Sequence, residues 1–228
     1  MEGEYVKKIG VITIGQSPRN DLIPEIEKYI NNDVQIVEYG ILDDYTYEEA
    51  IRKFEPVKGK NVLVSRMREG TQIEMNEDIV CEELQKNIYK VEKDGISTIL
   101  LLCTGKFPQF NHKALLITPF SIIHSIVKSI SGKEKVGIII PDSSQIRQCN
   151  SWWKDSDINV VIETASPYNY SKAGMKKAAM ELKKQSVSMI VMDCMGYTIE
   201  MKKTVQDITK GPVILSRILV TRVLNEIL

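Results

Sequence analysis

Short apolar runs alternate along the chain with segments whose apolar residues recur at helical spacing. Residues 8–14 predict a buried strand, and residues 20–30 predict a helix with an apolar face. Further strands are predicted at 34–38, 61–65, 97–103, 135–140, 159–163, 187–194 and 212–215. Further helices are predicted at 77–93, 120–130, 145–153, 172–185, 200–208 and 217–228. This alternation favours βαβ units and a mainly parallel sheet, which the unbroken apolar run 99–102 indicates is covered on both faces.

Three blocks of sequence occur twice, in the same order. KIGVI at 8–12 resembles KVGII at 135–139, and STILLLCTG at 97–105 resembles SMIVMDCMG at 188–196. LITP at 116–119 resembles VILS at 213–216, each before an apolar helix. The sequence therefore predicts an α/β fold of two similar parallel-sheet halves around a central cleft. The small polar break at 131–133 divides them into residues 1–131 and 132–228, and the last helix is free to pack on the first half.

Composition and charge narrow the functional classes. The 228 residues carry 30 Lys and Arg against 30 Asp and Glu, so a nucleic-acid binder with a basic face is not expected. No apolar run is long enough to span a membrane, and residues 1–4 do not begin a secretory signal, so a cytoplasmic protein is expected. Four cysteines without a CxxC pair, and only two histidines, favour free thiols over disulfides or a metal site.

The loop after the first predicted strand is a candidate binding site, because open α/β sheets bind ligands beyond the carboxyl ends of their strands. Ser17 is a natural helix N-cap, and Pro18 is a natural first helical residue. Free amides at this helix start, with Arg19 beside them, would suit a carboxylate or phosphate. A well-capped helix without a ligand is an equally weighted alternative. A dinucleotide-binding GxGxxG motif is not present.

Two cysteines lie at the ends of matching strands. Cys103 and Cys194 are each followed two residues later by a glycine, Gly105 and Gly196. A thiol at a strand end before a helix start can have a lowered pKa and act as a nucleophile or base. A single cysteine is more often a small buried apolar residue. Here the repeat favours the functional interpretation, since thiols at equivalent points of two halves would face each other across the cleft.

The residues flanking Cys194 leave alternatives open. Tyr197 would supply a hydroxyl, whereas strand alternation points Asp193 away from Cys194. Asp193 is therefore also interpreted as a capping or hinge carboxylate. Cys81 and Cys149 lie at helical spacing with apolar residues and are interpreted as packing residues.

Two further segments carry candidate anion-binding groups. Ser65 and Arg66 follow a predicted strand, and Arg66 with Arg68 would clamp a carboxylate in two-pronged fashion. A solvated basic turn leading into a short strand at 72–75 is the alternative. Ser216 and Arg217 open the last predicted helix directly after a strand, which is another position suited to an anion.

Several motifs together resemble the AroM family over essentially the whole chain: GQSPR, LLCTG, VGIIIP, VMDCMGY and PVILSRILVTRVL. More distantly, the chain is similar to the aspartate/glutamate/hydantoin racemase superfamily. That similarity implies two α/β halves related by a pseudo-two-fold axis, with one Cys from each half flanking the substrate α-carbon. Cys103-Thr104 resembles the first Cys motif, and Cys194-Met195-Gly196 resembles the second. Gln16-Ser17 stands where racemases commonly carry an Asp.

The resemblance implies a cofactor-independent racemase or isomerase acting on a small carboxylate or amino-acid-like substrate. Cys194 and Cys103 would exchange protons with the α-carbon. Residues expected to bind the substrate are Gln16, Ser17, Arg19, Ser65, Arg66, Thr104, Gly105, Gly196, Tyr197 and Ser216. A one-thiol decarboxylase or cis–trans isomerase, and a non-catalytic acid-binding protein, are the alternatives. The apolar last helix would also serve a homodimer.

Overall fold

Strands and helices alternate through residues 7–228, the part of the chain that the computed structural model describes. Residues 1–4, on which the expectation of no secretory signal depends, lie outside it. The strands are β1 (Lys7–Thr13), β2 (Val34–Gly40), β3 (Val62–Arg66), β4 (Gln72–Asn76), β5 (Thr98–Leu101), β6 (Leu115–Ile117), β7 (Val136–Ile140), β8 (Val160–Thr164), β9 (Met189–Met192) and β10 (Val213–Leu215). The helices are α1 (Ile23–Ile26), α2 (Tyr47–Lys53), α3 (Glu77–Lys93), α4 (Pro119–Ser131), α5 (Ile146–Asp155), α6 (Lys172–Lys184), α7 (Ile199–Thr209) and α8 (Ser216–Ile227). No helix in this range is long and apolar enough to cross a membrane.

Two four-stranded parallel sheets have the same strand order. The first runs β2-β1-β5-β6 and the second runs β8-β7-β9-β10. Their registers also match, since Gly10 of β1 pairs with Ile99 and Gly137 of β7 pairs with Ile190. The predicted α/β class with two similar parallel-sheet halves is confirmed. The first sheet ends before α4 and the second begins with β7, and we retain the division at 131/132 as a proposal.

Strand alternation sorts the apolar side chains into three layers. A shared layer between the two sheets takes Ile9 and Leu100 from the first sheet, and Ile138 and Val191 from the second. The opposite face of the first sheet packs on α2, α3 and the antiparallel pair β3–β4. The opposite face of the second sheet packs on α6 and α7. Both sheets are therefore covered on both faces, as their continuous apolar strands predict.

Helix α8 crosses from the second half onto the first. Its Val220 and Leu224 are wholly buried in the shared layer. The side-chain amide oxygen of Asn225 accepts a hydrogen bond from the backbone N–H of Asn31 at 2.8 Å. The Lys7 ammonium donates to the Leu228 carbonyl at 2.6 Å. The last helix thus ties the two halves together.

The two-stranded sheet β3–β4 is also held by both halves. The Val62 N–H donates to Gln148 Oε1 at 2.8 Å, and Gln148 Nε2 returns a hydrogen bond to the Val62 carbonyl at 2.6 Å. Two interpretations were open for the segment after Arg66: a carboxylate clamp, or a turn that leads into a short strand. The short strand is present as β4, at 72–76.

The predicted helix 20–30 is wrong in length. Only one α-turn forms, α1, followed by a 3₁₀ turn at Glu27–Tyr29. Ser17 does not cap it, because the residue before the helix is Leu22 and no side chain caps that start. Helix α2 was not predicted, although Thr46 and Glu49 form a reciprocal capping box at its start.

Gly10 and Gly137 allow one helix in each half to approach the central strand. A Cβ on Gly10 would lie 2.4 Å from Val91 Cγ1 of α3, and one on Gly137 would lie 3.0 Å from Leu182 Cδ1 of α6. Val91 is fully buried and its β-branched side chain has little freedom to move.

We expect Gly10→Ala to lower the free energy of unfolding by roughly 1–3 kcal/mol, the usual cost of overpacking a core. Gly211→Ala is the matched control, because a Cβ there meets no atom within 4 Å. Urea unfolding of both variants measures the difference. Equal stabilities of the two variants would contradict the proposed close approach of α3 to β1.

Candidate active site

The two cysteines at matching strand ends line one pocket between the halves. The pocket is small, with a cavity volume of about 40 Å³, and it is partly open to solvent. Its lining includes Cys103, Thr104 and Gly105 after β5, and Asp193, Cys194 and Met195 after β9. The apolar walls come from both halves and from β3, and include Ile14, Leu63, Leu102, Ile140 and Trp152. Cys149 also lines the pocket, in addition to packing in the shared layer.

The two thiols have equivalent backbone surroundings. Cys103 Sγ accepts a hydrogen bond from the N–H of Gly105 at 3.4 Å. Cys194 Sγ accepts one from the N–H of Gly196 at 3.3 Å. In each half the chain turns back on the thiol directly after the strand, so the sequence repeat extends to the geometry of the sulfur.

The pKa of each thiol is raised by desolvation, and Cys194 is buried whereas Cys103 is half-buried. Burial raises the pKa of Cys194, while the Tyr168 hydroxyl, the Gly196 N–H and the charge of Arg19 act in the opposite direction. Burial also raises the pKa of Cys103, and the Gly105 N–H acts in the opposite direction. The lowered pKa expected from a strand end before a helix start is therefore not found. Desolvation outweighs the nearby dipoles.

Asp193 lines the pocket and also contacts the shared layer. Its carboxylate accepts a hydrogen bond from Trp153 Nε1 at 3.1 Å. Burial raises its pKa from 3.8 to about 6, and hydrogen bonds from Thr104 and Trp153 partly offset that rise. The Thr104 hydroxyl also donates to the Asp193 carbonyl at 3.3 Å, which joins the two cysteine turns across the cleft.

Arg217 holds the turn after Cys194 against the first half. Its guanidinium donates to the carbonyls of Met195 and Gly196 at 2.8 and 3.1 Å. It also forms an ion pair with Glu25 of α1 at 2.7 Å. With 1 % of its surface exposed, Arg217 is a structural cation and is not available to a ligand.

Two predicted substrate-binding residues, Ser216 and Tyr197, have hydrogen-bond partners inside the fold. Ser216 is fully buried, and its hydroxyl donates to the Met192 carbonyl at 2.8 Å. Tyr197 is also fully buried, and its hydroxyl donates to the Ala165 carbonyl at 2.8 Å. Both hydroxyls are used within the fold and neither residue lines the pocket.

The loop after β1 is likewise occupied by internal partners. Asp43 accepts both the N–H and the hydroxyl of Ser17, at 2.6 and 2.7 Å. Arg19 is buried and forms a two-pronged ion pair with Asp21, with both N–O distances at 2.8 Å. In this structure, two carboxylates of the same half therefore take up the donors of Ser17 and Arg19 that were expected to bind an anion.

Of the remaining predicted substrate-binding residues, some lie at the pocket and others lie outside it. Gln16 bridges the Tyr45 carbonyl and the Arg68 N–H, and Arg66 lies 3.7 Å from Asp21. Ser65 is buried against Gly15, and its hydroxyl has no hydrogen-bond partner among the described residues. These three do not line the pocket, whereas Thr104 and Gly105 do and Gly196 contacts Cys194 directly.

Sequence reasoning missed Tyr168. This residue lies in the loop after β8, lines the pocket, and places its hydroxyl 3.4 Å from Cys194 Sγ. Strand β8 was predicted, and its carboxyl end lies at the same edge of the second sheet as that of β9. Ligands bind beyond the carboxyl ends of such strands, so the residues after β8 were candidates as well.

Comparison with known proteins shows the family and the fold. The profile of a family described as "AroM protein" matches residues 9–228. The chain belongs to the AroM family. A comparison with curated protein sequences finds no match.

Solved structures share the AroM chain's fold at low identity. An arylmalonate decarboxylase superposes with a TM-score of 0.58 at 13% identity, covering 93% of this chain and 88% of its own. Glutamate racemase from Aquifex pyrophilus gives 0.61 at 13% identity, covering 97% and 84%. Picrophilus torridus aspartate racemase gives 0.57 at 16% identity, covering 92% and 89%. The AroM chain therefore has the two-domain fold of these racemases and of this decarboxylase.

The raised pKa of Asp193 predicts a pH-dependent stability. Between pH 4 and pH 6 the folded state binds more protons than the unfolded state, so stability falls as pH rises. Compared with Asp193→Asn, the wild type should lose up to about 3 kcal/mol of unfolding free energy between pH 4 and pH 8. Urea unfolding of both proteins across that range measures the difference. Asp207→Asn, at an exposed position, is the control. A parallel pH dependence of wild type and Asp193→Asn would contradict the raised pKa of Asp193.

Proposed function

We propose that this AroM protein is a cofactor-independent racemase or isomerase that transfers protons at the α-carbon of a small carboxylate. The observation that carries the proposal is the pair of thiols, Cys103 and Cys194, at equivalent strand ends in one pocket. Each accepts the N–H of the glycine two residues later. The fold shared with glutamate and aspartate racemases supports the same reaction class.

In the proposed reaction, the substrate lies between the two sulfurs. The thiolate of one cysteine takes the α-proton, and the electron pair of the C–H bond passes into the carboxylate as an enolate. The thiol of the other cysteine gives a proton to the opposite face and becomes the thiolate. A buried thiolate is a stronger base than an exposed one, which favours removal of a weakly acidic carbon-bound proton.

The lining also bears on the substrate. No Lys, Arg or His side chain belongs to the described lining, and Asp193 is its ionisable carboxyl group. The carboxylate would therefore be held by backbone N–H groups of the two cysteine turns, with the Thr104 hydroxyl joining them once it turns away from the Asp193 carbonyl. Walls of Ile14, Leu63 and Trp152 favour a small apolar substituent on the reacting carbon.

A one-thiol reaction is the second candidate, and the unequal polar surroundings of the two sulfurs favour it. Cys194 has the Tyr168 hydroxyl and the Gly196 N–H within hydrogen-bond distance. Cys103 has the Gly105 N–H alone among the described residues. A decarboxylase or cis–trans isomerase would need only the better-supported thiol, Cys194.

A homodimer and a cytoplasmic location also stay predictions. Packing of Val220 and Leu224 into the shared layer already accounts for part of the apolar face of α8. The face left for a second copy is correspondingly smaller.

The direct test is exchange of the α-proton in deuterated water, followed by proton NMR and chiral chromatography. Single enantiomers of alanine, phenylalanine and 2-phenylpropanoate serve as probes, with 2-phenylmalonate as a probe for decarboxylation. We expect exchange with at least one probe, and a fall of at least ~100-fold for Cys194→Ser, since general acid–base groups contribute that much. Cys81→Ser, in α3 and outside the pocket lining, should leave the rate unchanged.

Cys103→Ser separates the two candidates. Loss of racemisation as severe as that of Cys194→Ser supports the two-thiol reaction. Continued decarboxylation or one-sided exchange in Cys103→Ser supports the one-thiol reaction. If no probe reacts, or if Cys194→Ser behaves as wild type, both candidates are contradicted.

A further inference from the structure

The phenol of Tyr168 lies against Cys194, one of the two thiols of the proposed racemisation. Its hydroxyl is 3.4 Å from Cys194 Sγ, within hydrogen-bond distance for sulfur. A phenol is a stronger donor than a thiol, and a thiolate is a strong acceptor, so the hydroxyl donates when Cys194 is ionised. Tyr168 can thus change how readily Cys194 loses its proton.

The loop that carries Tyr168 is anchored to both halves. Ser166 Oγ accepts the N–H groups of Tyr168 and Asn169 at 3.1 and 3.0 Å. The same hydroxyl donates to Oε1 of Gln72 on β4 at 2.8 Å. Tyr168 therefore reaches Cys194 from a loop whose position depends on a contact with the other half.

The ring itself is tightly placed. A Cβ on Gly196 would lie 2.7 Å from Tyr168 Cε1 and 2.8 Å from Pro167 Cγ, so only glycine admits the ring at this distance. The Arg19 guanidinium lies 5.8 Å from the ring centroid, and it is itself paired with Asp21 at 2.8 Å.

The first half offers Cys103 no such partner. Strand β2 occupies the place that β8 has in the second sheet, and Tyr45 is the first tyrosine after it. The Tyr45 hydroxyl accepts a hydrogen bond from Lys53, and among the described residues Cys103 Sγ is hydrogen-bonded to the Gly105 N–H instead. The two halves are therefore alike in their thiols and glycines and unlike in the phenol.

We propose that Tyr168 is a catalytic residue: it donates a hydrogen bond to the Cys194 thiolate, so that the free enzyme holds its thiolate on Cys194 and its thiol on Cys103, ready for the enantiomer whose α-proton faces Cys194. This inference rests on the proposed function. In the step, Cys194 Sγ takes the α-proton, and the C–H electron pair passes to the enolate. Cys103 then gives its proton to the opposite face and keeps the S–H electron pair as a thiolate. Tyr168 keeps its own proton throughout, and burial, which raises its pKa, supports this.

The test measures the alkylation rate of each cysteine with iodoacetamide at pH 8, resolved by mass spectrometry. Below the pKa of a thiol, this rate is proportional to its ionised fraction. Tyr168→Phe keeps the ring and removes the hydroxyl. We expect the Cys194 rate to fall about tenfold, one pKa unit, which is the lower range for a lost hydrogen bond to a charged group. The Cys103 rate in the same sample should stay within twofold.

Two further variants keep the result interpretable. Tyr39→Phe removes another buried hydroxyl, one that binds Asp94 away from the pocket, and should leave the Cys194 rate unchanged. Gln72→Leu removes the anchor of the Tyr168 loop without touching the pocket lining, and should lower the Cys194 rate by a smaller factor.

A Cys194 rate that is unchanged or faster in Tyr168→Phe would overturn the assignment and make Tyr168 a wall residue. An equal fall at Cys103 would do the same, because it would indicate a general change of the pocket. The alkylation result does not depend on turnover. Failure of every probe to exchange its α-proton would therefore count against the proposed function and not against the Tyr168–Cys194 hydrogen bond.

Discussion

The shared apolar layer between the two parallel sheets is the constraint on which the rest of this structure depends. Both faces of each sheet must be covered, and one face of each is covered by this shared layer. Trp153 and Leu224 are fully buried in it. Because the layer holds the sheets together, the turns after β5 and β9 meet at one pocket. The position of two thiols on either side of a small cleft follows from how the core is filled.

Buried charges then hold the turns that carry the chemistry. Arg217 binds two carbonyls directly after Cys194 and pairs with Glu25 of the first half. Arg19 pairs with Asp21 and lies beside the Tyr168 ring. Buried ion pairs add little net stability, because desolvation of both charges offsets their attraction. Their role here is to fix the relative placement of the cysteine turn, the phenol and the first half.

Much of the fold could be predicted from the sequence, because local patterns of apolar residues and glycines mark its strands. The KIGVI and KVGII blocks mark the central strands, and each carries a glycine where a helix packs closely. The repeat around Cys103 and Cys194 also located the pocket. The internal partners of Ser17 and Arg19 could not be predicted, because a sequence does not show which acid pairs with which donor. Asp43, 26 residues from Ser17, takes both of its donors. Tyr168 was missed for the same reason: its partner, Cys194, is 26 residues away and becomes a neighbour only in the folded chain.

The central claim is that one carbon atom of a carboxylate fits between the two sulfurs. The measurement that tests it most directly is a crystal structure of the protein with 2-phenylpropanoate bound. We expect the α-carbon to lie between Cys103 Sγ and Cys194 Sγ, roughly 3–3.5 Å from each, with the sulfurs about 7 Å apart on opposite faces of the carbon. A carboxylate bound elsewhere, or one with only a single sulfur or neither beside the α-carbon, would contradict it.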